Sequence, residues 1–198
     1  MKKSIIFIII ILGMVGVTYM GIEYQNSKKE SDKEEKSNIY KQGKVAIIYF
    51  SATGTTKTIA EYIKNTTNGE LIEIIPKEKY TSEDLDYGNN ESRANREQNN
   101  RSSRPEIENK FDLSSYDIIY LGYPIWWGDV PKIILTFLDT YDLSGKTVIP
   151  FCTSHSSGIS GSLSTLKNYN KNINWVDGKR FGDSSQSEID DWIKGLND

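Results

Sequence analysis

The chain has one cysteine, Cys152, and one histidine, His155. A lone cysteine excludes an intramolecular disulfide, and these two residues are too few to build a structural zinc site of Cys and His ligands, so no metal is expected. Arginine is missing from residues 1–43, where 7 lysines face 5 acids, while residues 44–198 carry 17 bases against 22 acids. That acidic balance argues against nucleic acid, whose affinity for proteins comes largely from Lys and Arg on phosphate, and it suits a basic protein partner. The nucleotide fingerprints G-x-G-x-x-G and G-x-x-x-x-G-K-[ST] are absent as well. What is present is material for a core: hydrophobic residues make up 37% of the chain, with 12 Tyr and 4 Trp. That is too apolar for a disordered chain.

Lys2 and Lys3 precede residues 5–22, which contain no charge. Such a run, at about 1.5 Å rise per residue, reaches about 27 Å, close to the hydrocarbon thickness of a bilayer. Residues 1–22 therefore read as a transmembrane signal anchor, with a cleaved signal peptide or an all-round apolar core helix as alternatives. The length of the run and the lack of a clear A-x-A site favour the anchor, and no Cys follows to take a lipid. Lys2, Lys3 and the terminal amine favour a cytoplasmic N-terminus, which places the rest of the chain outside; cleavage would release it as a secreted protein. Residues 23–43, rich in Lys, Glu, Ser and Asn, read as a solvated polar linker, and residues 44–198 as the folded domain.

From residue 44 onward, short apolar runs alternate with helical patterns, the signature of an α/β parallel sheet. Strands are expected at residues 44–50, 71–75, 116–123 and 146–152, with a shorter one at 173–176. Thr56, Ile59, Ala60 and Ile63 recur at helical spacing, as do Val130, Ile133, Ile134, Phe137, Leu138 and Tyr141. Two further helices are expected around Leu163 and Leu166 and over residues 189–196. Residues 76–112 are long and polar, with a short helix expected near 82–87. Pro150 stands out near the end of the fourth strand, since proline cannot donate to a sheet ladder. Five strands alternating with helices make a doubly wound α/β fold, in which ligands sit beyond the carboxyl ends of the strands.

The loops after strands one, three and four are therefore where chemistry is read. The first is Ser51, Ala52, Thr53, Gly54, Thr55 and Thr56: hydroxyls and a glycine between a strand and a helix N-terminus, a site for an anion. It holds no Lys or Arg, so its donors are neutral and suit one terminal monophosphate better than a triphosphate with magnesium. No acidic cluster follows the strand, as a phospho-acceptor domain would need. The second is Tyr123, Pro124, Ile125, Trp126, Trp127, Gly128 and Asp129, where two adjacent tryptophans offer large faces to a flat heteroaromatic ring. Gly128 allows a close backbone approach. The third, Cys152 to Gly158, is small and polar and can bring N–H and hydroxyl groups to a ring edge. His155 reads as a surface loop residue and Cys152 as a buried small hydrophobe, not a nucleophile.

These loops carry a family resemblance. S-A-T-G-T-T after strand one resembles the flavodoxin phosphate loop, [ST]-x-T-G-x-T. Y-P-I-W-W-G-D-V-P resembles the ring-stacking loop of flavodoxin-like proteins, and F-C-T-S-H-S-S-G-I-S-G-S the other flavin loop of one flavodoxin subgroup. The subgroup tends to have glycines where His155 and Ser156 stand. The resemblance implies a flavodoxin-like doubly wound five-stranded parallel sheet in the order 2-1-3-4-5, with helices on both faces and non-covalent FMN. By position, Ser51, Thr53, Gly54, Thr55 and Thr56 would hold the phosphate, with Ala52 beside them. Trp126 or Trp127 would stack on the isoalloxazine, flanked by Pro124, Ile125 and Gly128, and Thr153, Ser154 and Gly158 would line its other side. An acidic domain around the ring should lower the potential of the reduced flavin. The function expected is a membrane-tethered electron carrier working with redox partner proteins. An FMN-dependent NAD(P)H:quinone-type oxidoreductase and a non-redox interaction module are the alternatives.

Overall fold

The computed structural model describes residues 43–196. The expected anchor and all but the last residue of the expected linker lie outside the described residues. Among the described residues no helix is long and apolar enough to cross a membrane. The elements run β1 (Val45–Tyr49), α1 (Thr55–Thr67), β2 (Glu70–Glu73), α2 (Arg93–Asn99), β3 (Ile118–Pro124), α3 (Lys132–Thr140), β4 (Thr147–Thr153), α4 (Ser160–Tyr169), β5 (Asn174–Trp175), β6 (Lys179–Phe181) and α5 (Gln186–Leu196).

The sheet is parallel in the order β2-β1-β3-β4-β5, the order that the resemblance implies. β1, β3 and β4 are buried almost end to end, which is why they read as unbroken apolar runs and not as alternating ones. On one face Ala46, Ile48, Leu121, Val148 and Cys152 form a core with Val130, Ile133, Ile134 and Phe137. On the other, Tyr120 and Phe181 meet Trp192 of α5 edge-on, at ring-centroid distances of 5.9 and 5.2 Å.

The fifth position of the sheet is split. β5 pairs with Thr147 and Val148, and β6 with Phe151, Cys152 and Thr153. The break lies opposite Pro150. Val148 accepts from the Val176 N–H (2.9 Å) and the Ser154 N–H donates to Phe181 (3.2 Å), so the even-numbered residues of β4 face this edge. Pro150 shares that parity and has no N–H to give, so the ladder is interrupted there. Gly178 fills the break: a Cβ on it would lie 2.2 Å from the Pro150 carbonyl oxygen.

The segment between β2 and β3 departs from expectation. Residues 82–87 form turns, not a helix. The Asp84 carbonyl, which a continuing helix would offer to Gly88, accepts instead from the Ala94 N–H (2.9 Å), and the Gly88 N–H goes to Asp86 Oδ1 (2.9 Å). The helix in this segment is α2, a polar sequence (RANREQN) whose buried residues are Ala94 and Asn95. It has no apolar stripe to announce it. Its base is closed by bonds from the Lys77 N–H to the Glu106 carbonyl (2.9 Å) and from the Glu108 N–H to the Ile75 carbonyl (2.8 Å).

Candidate functional site

The carboxyl ends of β1, β3 and β4 open into a cleft of about 760 Å³ to which all three loops contribute. From the first come Ala52, Thr53, Thr55 and Thr56. Ser51 does not line it. Its Oγ accepts from the N–H groups of Gly54 (3.1 Å) and Lys57 (3.3 Å) and so braces the loop from within. Gly54, at φ 93°, lies on an adjoining hollow shared with residues 182–185. The first-turn N–H groups of a helix have no intrahelical acceptor. Those of Thr55 and Thr56 have no other partner among the described residues, and the first turn of α1 carries no acid. This end of the cleft therefore presents neutral donors to an anion.

The second loop is a tight hairpin. Trp126 and Asp129 exchange both main-chain hydrogen bonds at 3.0 Å, and Trp127 (φ 51°) and Gly128 (φ 75°) occupy its corners with the paired positive φ of a type I′ turn. A left-handed tryptophan costs about 1–2 kcal/mol, which surrounding contacts must offset. The turn gives the two indoles different fates. Trp126 is 4% exposed and packs edge-on against Phe50 (5.6 Å) and Tyr80 (5.1 Å). Trp127 is 61% exposed, with Tyr87 5.8 Å away. Both line the cleft, as do Pro124, Ile125 and Gly128, but the open aromatic face is that of Trp127.

From the third loop Thr153 and Ser154 line the cleft, together with His155, Ser156 and Ser157; Gly158 does not. Ser154 Oγ accepts from the N–H groups of Ser156 (3.3 Å) and Ser157 (2.9 Å), folding the loop back on itself. Cys152 is fully buried, and burial pushes its thiol up to about 12, which fits a core residue and no nucleophile.

The sequence from residue 44 to 196 matches the flavodoxin family model. The chain belongs to the flavodoxin family. Among solved structures similar to this flavodoxin-family chain is a presumed flavoprotein from Bacteroides eggerthii DSM 20697. It is 40% identical, with a TM-score of 0.75, over 78% of this chain and 98% of that one. Another, from Bacteroides uniformis ATCC 8492, is 43% identical over 77% and 98%, with the same TM-score of 0.75. A flavoprotein from Lactobacillus acidophilus NCFM, solved in complex with FMN, is 29% identical over 76% and 98%, with a TM-score of 0.59. No curated protein sequence matches this flavodoxin-family chain.

The cleft also has walls that sequence reasoning missed. Leu85 and Tyr87 come from the turns ahead of α2, and Arg180 and Asp183 from β6 and the loop beyond it. The signal for the first pair was two apolar side chains inside an acidic run, D-L-D-Y. For the second it was Gly178, which hinted that the edge strand resumes after a break. Arg180 Nη1 donates to the Ser154 carbonyl at 2.8 Å, and Arg180 makes no ion pair among the described residues.

Proposed function

We propose that this flavodoxin-family chain binds FMN non-covalently and carries electrons between protein partners, held at a membrane by residues 1–22. The observation that carries the reading is the presence, in one cleft, of unpartnered helix N–H groups and hydroxyls together with the open face of Trp127. The parts fit FMN. A phosphate would meet Thr55 and Thr56 N–H groups and the Thr53 and Thr55 hydroxyls, with no neighbouring cation needed for a single monophosphate. The isoalloxazine would lie against Trp127, its hydrogen-bonding edge toward Thr153 and Ser154. Bound there, FMN supplies the electron-accepting and electron-donating chemistry. The chain's own part is to hold it, orient it and keep water off it. The FMN complex of the Lactobacillus acidophilus relative supports the assignment.

The absence of a nicotinamide fingerprint and the acidic balance of residues 44–198 favour a carrier over a stand-alone oxidoreductase. The uncharged run at residues 5–22 supports a tether, and Lys2 and Lys3 support an extracytoplasmic domain. The full chain, purified in mild detergent, should be yellow, hold about one FMN, and prefer FMN to riboflavin. Equal affinity for the two would falsify the phosphate assignment. Rapid bleaching by NADPH with no second protein would instead identify an oxidoreductase. In cell fractions the chain should resist high-salt extraction from membranes. Mature protein beginning at roughly residues 19–25 and free in the medium would show cleavage in place of anchoring.

A further inference from the structure

The geometry points to Asn95 as a positioning residue for the flavin ring, acting through the indole N–H of Trp127. The inference rests on the FMN reading above. Asn95 is 1% exposed, on a helix with no apolar stripe to explain why that position is buried. A carboxamide has one acceptor oxygen and two donor hydrogens. Here Oδ1 accepts from Trp127 Nε1–H at 2.6 Å, and Nδ2 reaches the carbonyl oxygens of Asn89 (2.7 Å) and Tyr87 (3.3 Å). One side chain thus ties the exposed indole to the backbone that carries Tyr87.

Gln98 lies one turn along α2, on the same helix face. Its Nε2 donates to the carbonyls of Trp126 (2.9 Å) and Val130 (3.2 Å), gripping both sides of the turn that presents Trp127. The two amides hold the hairpin, and neither of them lines the cleft. A ring that is 61% exposed has little packing to fix its plane. A hydrogen bond at Nε1 adds a second point of attachment beyond the Cβ–Cγ bond and so restricts rotation of the ring. A stacking face already set in place binds a planar ligand more tightly, because less freedom is lost on binding. Neither apolar nor acidic replacements serve both ends: leucine has no polar atom, and aspartate cannot donate to the two carbonyls.

The test uses the full chain in detergent. In flavin-free protein the Trp127 indole N–H should exchange with solvent at least tenfold more slowly than a free indole, despite the exposure of the ring. Exchange at the free rate overturns the proposal, and this measurement needs no variant to fold. Asn95→Leu should weaken FMN and riboflavin by the same factor, about tenfold, because the phosphate end is untouched. The decisive comparison repeats Asn95→Leu in a Trp127→Phe background, which keeps an aromatic face but has no N–H. There the loss should shrink to under threefold. An equal loss in both backgrounds makes Asn95 a loop staple only and overturns the role. If the parent binds no flavin, the functional reading falls, whereas an unprotected indole sinks the positioning role alone.

Discussion

Thr56 and Thr153, separated by 97 residues in the chain, share a buried hydroxyl–hydroxyl hydrogen bond of 2.8 Å that joins the start of α1 to the end of β4. Two of the three cleft loops are thereby held in register by one contact. Replacing one partner by valine keeps the shape but leaves the other hydroxyl buried without its partner, a loss of about 1–3 kcal/mol. Replacing both removes the orphan. Thr56→Val and Thr153→Val should each lower stability in urea by about that amount, and the double variant should lose less than the sum. Additive losses would show that the two hydroxyls are not each other's partners.

Trp126 and Trp127 are adjacent and chemically identical, yet they should fail in different assays. Trp127→Ala should lower the stability of the flavin-free chain by at most about 1–3 kcal/mol, through the buried Asn95 Oδ1 that it leaves without a donor. It should cost about 1–3 kcal/mol of FMN binding, a factor of about 5–150, by analogy with base stacking on aromatic side chains. It should also relieve the quenching of flavin fluorescence. Trp126→Ala removes the ring packed between Phe50 and Tyr80 and should cost about 3–5 kcal/mol of fold stability. If Trp126→Ala proves the more damaging to flavin affinity at unchanged stability, the two assignments are reversed.

The adjacency of these residues also marks how far the sequence could be read. β1, β3 and β4 were legible because each is an unbroken apolar run, and α1 and α3 because their buried residues recur at helical spacing. Three loops followed from their positions after those strands. Which indole faces the cleft was not legible, since that is set by the positive φ of Trp127 within the turn. α2 was hidden because amides dock it, through Asn95 and Gln98 to partners about 30 residues further on. β6 was hidden because the ladder breaks at Pro150 and resumes only after Gly178, so a single edge strand reads as one short run followed by loop.

Cys152 gives a prediction in pH. Burial raises its thiol from the ordinary value of 9.0 to about 12. A raised value means that the folded chain holds this proton more tightly than the unfolded one. The associated stability is fully present below pH 9 and is lost as pH rises from about 9 to 12. Burial raises Tyr80 and Tyr123 as well, and their phenols act in the same direction. Native protein at pH 8 should resist iodoacetamide, with alkylation appearing only on unfolding. Stability in urea should fall steadily above pH 9. Rapid labelling of native protein at pH 8 would place the thiol within reach of solvent, against its burial.

Arg180 bears on the potential of the flavin that this cleft is proposed to hold. The acidic balance of the domain predicts a lowered potential, but the cleft itself is lined by a guanidinium with no carboxylate within ion-pair distance among the described residues. Asp183 lines the same cleft and opposes it without pairing with it. A positive charge near the ring favours the reduced, negatively charged flavin and raises the potential. Arg180 is exposed, so solvent and salt weaken the effect. Arg180→Gln should therefore lower the midpoint potential by only about 10–40 mV, less than the 59 mV that a tenfold change in a one-electron equilibrium represents. The shift should shrink as salt is raised. Asp183→Asn should move the potential the other way and, because Asp183 also borders the hollow at Gly54, should tighten FMN relative to riboflavin. Potentiometric titration of both variants at low and high salt separates the two charges. An unchanged potential in Arg180→Gln at low salt would mean that the guanidinium lies too far from the ring to matter.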